Sequence, residues 1–85
     1  MIFEVCVDSV EGVQAARQAG AQRVELCSGL VEGGVTPSIG LVRQACRQGI
    51  AVNVLLRPRG GDFLYSDEEW AVMREDIRAI QAAGA

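Results

Sequence analysis

The chain has 85 residues, a net charge of −3 and no histidine. That length suits one small domain with a modest core, and a 49% hydrophobic content places it among folded rather than disordered chains. The negative balance gives no footprint for nucleic acid or an anionic membrane, and the lack of histidine removes Ser–His and Cys–His nucleophile pairs and imidazole metal ligands.

Ile2 to Val7 alternates with period 2. Ile2, Glu4, Cys6 and Asp8 share one side of this first strand, and Phe3, Val5 and Val7 share the other. The N-terminus enters the strand directly, which reads as no signal peptide. Three cysteines without a secretory leader are expected to be reduced thiols in the cytoplasm. Asp8-Ser9-Val10-Glu11 looks like a helix start with Asp8 as cap and Glu11 reaching back. Val10, Val13 and Ala16 mark the inward stripe, and Gly20 is a suitable residue just past the helix.

The second strand spans about Gln22 to Cys27 and repeats the first: apolar, Glu, apolar, Cys. A strand–helix–strand unit makes the two strands parallel neighbours. In register they project Glu4, Cys6, Glu25 and Cys27 from one face, an unusual set for a plain core. Ser28 to Thr36 is a glycine-containing loop. Thr36 then caps a helix with Pro37 in its first turn, Leu41, Val42, Ala45 and Cys46 form its apolar stripe, and Gly49 ends it. Ile50 to Leu56 is the third strand. The loop Arg57-Pro58-Arg59-Gly60-Gly61-Asp62-Phe63 is basic and glycine-rich. Ser66-Asp67-Glu68-Glu69 is a capping box, and Trp70, Met73, Ile77 and Ile80 are spaced as the buried stripe of a third helix.

Gln81-Ala82-Ala83-Gly84-Ala85 has the form of the segment that led into the second strand, so a fourth strand is due where the chain stops. Three β/α units in 85 residues match the density of a (β/α)8 barrel, which needs about 250 residues to close. The expectation is an α/β fold: a partial TIM barrel made of its first three β/α units with parallel strands, residues 1–85 being an N-terminal fragment of a single barrel domain. A doubly wound open sheet has the same local pattern. An open sheet edge also predicts association, hence a homo-oligomer.

Three constellations carry possible chemistry. Cys6 and Cys27 on neighbouring strands are soft donors suited to a soft metal ion; a buried cysteine is otherwise a small hydrophobe. Glu4 and Glu25 suit acid–base work or a divalent ion, or else pair with Arg57 inside a barrel floor. Arg57 and Arg59 beside Gly60 and Gly61 form a possible clamp for a small anionic ligand, or a turn in which Arg57 pairs with Glu25. Cys46 reads as core. Phe63 and Tyr65 either roof the barrel mouth or staple the loop to the third helix.

Glu-Val-Cys-Val-Asp-Ser at 4–9, Arg-Val-Glu-Leu-Cys-Ser-Gly-Leu at 23–30, Glu-Gly-Gly-Val-Thr-Pro-Ser at 32–38 and Arg-Pro-Arg-Gly-Gly-Asp-Phe-Leu-Tyr-Ser at 57–66 resemble the copper homeostasis protein CutC family. The likeness covers the whole chain and the N-terminal third of the family's length. It implies a TIM barrel, a cytosolic location and copper binding, with Cys6 and Cys27 at the positions of the family's proposed copper ligands. The alternatives are a barrel enzyme of unknown reaction with Glu25 as acid or base and Arg57 and Arg59 holding an anion, and an inactive truncated fragment.

Overall fold

A computed structural model describes all residues, 1–85. The elements in order are β1 (Glu4–Val7), α1 (Val10–Gln18), β2 (Arg23–Leu26), a 3-10 turn (Leu30–Glu32), α2 (Ile39–Cys46), β3 (Ala51–Val54) and α3 (Asp67–Ala82). The strands form one sheet in the order β1-β2-β3, and both pairings are parallel. This is the expected succession of β/α units. Each strand is two to three residues shorter than its alternation suggested, although single backbone hydrogen bonds run on past the strand ends, from Gln22 N to Phe3 O, Cys27 N to Val7 O and Leu55 N to Leu26 O.

Alternation divides the sheet into two unlike faces. Val7, Val24, Leu26 and Val52 are buried with Val13 and Ala16 of α1 and with Val42 and Ala45 of α2. Val13, Val24, Leu26 and Val42 are fully enclosed, each contributing roughly 1.5–3 kcal/mol of transfer free energy. The other face carries Glu4, Cys6, Arg23, Glu25, Ala51 and Asn53, all exposed or half-buried. Parallel sheets are ordinarily covered on both faces; in this chain helices cover one.

Three helix caps hold α1, α2 and α3, and two differ from expectation. Ser9, not Asp8, caps α1, its Oγ accepting from Gly12 N at 2.9 Å. Asp8 follows directly on β1, and one more extended residue (Ser9, φ −150°, ψ 161°) is needed before the chain can turn into the helix. Ser38, not Thr36, caps α2 and accepts from Leu41 N. The Thr36 hydroxyl is already occupied, since it accepts from Arg57 N at 2.7 Å while Thr36 N donates to Arg57 O at 2.9 Å. The third cap is the expected box: Ser66 Oγ accepts from Glu69 N and Glu69 Oε1 accepts from Ser66 N.

The stripe on α3 is a correction. Met73 is buried, Ile80 is half-buried, and Trp70 and Ile77 are 48% and 40% exposed. α3 packs against α2, and that contact covers less of the helix than its apolar spacing provides for.

Candidate thiol site

The parallel register decides which inward side chains meet. Glu4 lies opposite Arg23 and Cys6 lies opposite Glu25. Cys27 follows Leu26 at the end of β2, where its N–H donates to Val7 O at 3.0 Å. Cys6 and Cys27 are therefore diagonal neighbours, and their Sγ atoms stand 3.8 Å apart. The sequence expectation that the two thiols share a face holds in this geometry.

Their surroundings are unequal. Cys6 is exposed, whereas Cys27 is 1% exposed. The Cys27 thiol lies 3.6 Å from Val7 O, to which it can donate. Burial pushes the Cys27 thiol up to about 11 from 9.0; the hydrogen bond and charge of Cys6 add to this, as do the carboxylates of Asp8 and Glu25. No histidine, aspartate, glutamate or further cysteine joins the pair to make a three-donor metal cluster. The chain thus offers two soft donors. Two sulfurs 3.8 Å apart subtend about 110° at an ion bonded at about 2.3 Å to each. A linear S–metal–S arrangement needs a separation of about 4.6 Å at that bond length, so the pair as it stands suits a bent site.

Glu4 does not share a site with Glu25, nor does either pair with Arg57. Glu4 forms an ion pair with Arg23 and accepts from Asn53 Nδ2 at 3.5 Å. Arg23 shares this face because the observed register sets position 23 beside position 4. Glu25 forms no salt bridge and sits beside Cys6 as an acidic neighbour.

The two arginines of the 57–61 loop hold protein groups. Arg57 donates from Nη1 to Glu32 O at 2.8 Å and Gly34 O at 2.9 Å, and from Nη2 to Gly61 O at 3.1 Å. Arg59 pairs with Glu69 and with Asp62, and also donates to the carbonyls of Gly60, Asp62 and Leu64. The Ser66 N–H and the Arg59 guanidinium hold the Glu69 carboxyl below its usual range, and the Leu64 N–H and Arg59 do the same for Asp62. Arg57 lies over the Phe63 ring at 5.4 Å and Arg59 over Tyr65 at 5.2 Å; Tyr65 in turn meets Trp70 edge-on at 5.7 Å. Phe63 and Tyr65 therefore fasten this loop to its arginines and to α3. The anion clamp expected of Arg57, Arg59, Gly60 and Gly61 has its guanidiniums engaged internally.

Three parallel β/α units with a polar, thiol-bearing face have the form of a segment of a (β/α)8 barrel. The chain matches the CutC family over residues 1–85 and belongs to that family. It is 57% identical over 86 residues to the copper homeostasis protein cutC homolog of Homo sapiens and equally to that of Mus musculus, with 99% of this chain and 31% of each relative covered. It is 51% identical over 84 residues to the CutC family protein of Agrobacterium fabrum, covering 99% of this chain and 34% of that one. The solved structure of CutC from Streptococcus agalactiae superposes with a TM-score of 0.89 at 38% identity, covering all of this chain and 43% of that one. The chain spans about a third of the length of the curated relatives it matches. No helix is long and apolar enough to cross a membrane.

Proposed function

We propose that this chain carries the copper-holding thiols of a copper homeostasis protein, with Cu(I) bound between Cys6 and Cys27. The observation that carries the reading is the 3.8 Å separation of the two sulfurs on one sheet face. Thiolates are soft donors and favour Cu(I) over hard cations. The names of the human and mouse relatives give copper homeostasis as their role, and all three cysteines here are free thiols, as a reducing cytosol would keep them.

Binding displaces the thiol protons. Because Cys27 holds its proton to about pH 11, the ion must compete for that proton, and affinity rises with pH. Anaerobic Cu(I) titration against a competing chelator tests the assignment. One tightly held copper per chain is expected for the parent and for Cys46→Ser, and none for Cys6→Ser with Cys27→Ser. Unchanged stoichiometry in the double variant removes the pair from consideration.

A further inference from the structure

We infer that Arg57 is a positioning residue for the thiol site: its guanidinium fork pins the 28–36 loop down over Cys27 and so governs access to that sulfur. After β2 the chain folds back on itself. Ser28 and Val35 form an antiparallel bridge, with N–H to O distances of 3.0 and 2.8 Å, and Gly34 N donates to Gly29 O. This brings Gly34 against the site. Gly34 is buried, and a β-carbon placed on it would lie 3.9 Å from Cys27 Sγ and 2.9 Å from Leu55 Cδ2. The wall beside the inner thiol is therefore a stretch of bare backbone.

Backbone of this kind needs partners for its carbonyls. Those of Glu32 and Gly34 both receive Arg57 Nη1, while Nη2 reaches Gly61 O on the following loop. A planar guanidinium can bridge three carbonyls in this way; a lysine ammonium is a single point of charge and cannot reproduce the fork. The Arg57 backbone adds the two-way link to Thr36 at the loop's other end. Arg57 Nε is buried without a partner, so the side chain is held by its two terminal nitrogens alone. Arg59 holds only its own loop and the start of α3, which makes it a matched control.

The test needs no metal, so it is read separately from the copper assignment. In the 85-residue chain carrying Cys6→Ser and Cys46→Ser, Cys27 is the sole thiol, and its rate of alkylation by iodoacetamide at fixed pH reports exposure of its sulfur. Arg57→Lys and Arg57→Gln are expected to raise that rate about tenfold or more at temperatures well below melting, since neither side chain reproduces the three charged hydrogen bonds that loop opening must break in the parent. Gly34→Ala, whose methyl would push the loop off Leu55, is expected to do the same, and Arg59→Lys to keep the parent rate. Should Arg57→Gln not fold, Arg57→Lys and Gly34→Ala decide the matter. Parent-like rates in these variants, or an equal rise in Arg59→Lys, would overturn the assignment.

Discussion

Cys27 lies one step diagonally from Cys6 across the β1–β2 pair, two residues beyond Glu25, the direct partner of Cys6. With strands about 4.8 Å apart and a rise of about 3.3 Å per residue, such a diagonal places the Cα atoms roughly 8 Å apart. Disulfides require Cα atoms closer than about 7 Å. The sulfurs approach to 3.8 Å, while an ideal diagonal of this length leaves the backbones about 1 Å too far apart for a disulfide. Oxidised glutathione is therefore expected to cap exposed Cys6 as a mixed disulfide, releasing one glutathione thiol, and to leave no Cys6–Cys27 bond. Intact-mass analysis after alkylation checks this. A mass showing loss of two hydrogens within one chain, mapped to these cysteines, would show that the strands slide more readily than their register implies.

Alkaline conditions should weaken the fold through Cys27. Its thiol is raised to about 11 from 9.0, so above about pH 9 the unfolded chain has lost a proton that the native chain retains. By linkage, this stability is fully present below pH 9 and is lost as pH rises through about 11, by up to about 3 kcal/mol. Urea titrations at pH 8 and pH 11 on the parent and on Cys27→Ala measure it. The pH-dependent loss should shrink in the variant. Cys6→Ser should remove only part of it, because burial is the leading cause of the shift.

Ser66 is expected to matter more than its exposure suggests. Its hydroxyl and the Glu69 carboxylate satisfy each other's backbone N–H groups at the start of α3, and Glu69 also receives Arg59. Ser66→Ala should cost about 1 kcal/mol, a fall of roughly 4–8 °C in melting temperature for a domain of this size. Thermal melting followed by circular dichroism reads it. Ser66→Asp, which keeps an acceptor at the cap, should restore most of the loss.

On α3 the helical spacing of Trp70 and Met73 would assign both to the core with similar cost. The structure separates them. Met73→Ala should cost about 2–5 kcal/mol, whereas Trp70→Ala, losing mainly its edge contact with Tyr65, should cost about 0.5–1.5 kcal/mol. Denaturant unfolding of the two variants gives the ratio, and equal costs would place Trp70 in a packed environment after all.

These contrasts mark what a linear reading can and cannot supply. Period-2 alternation is a property of neighbouring residues, so it identified the strands and put Cys6 and Cys27 on one face. The Ser66 box was legible for the same reason. Ser9 in place of Asp8 turned on one extra extended residue after β1. Thr36 was lost as a cap because Arg57, 21 positions along, occupies its hydroxyl. The partners of Arg57 are carbonyls, which every residue has, so no side-chain pattern announces them. Arg23 was hidden differently: its partner follows from register, which two short strands do not specify until the sheet has formed.

One sulfur of the pair faces outward and the other is sealed. For any species that must touch both, this imposes an order of events. First contact falls to the exposed thiol, the enclosed one is reached second, and release retraces the same two steps in reverse.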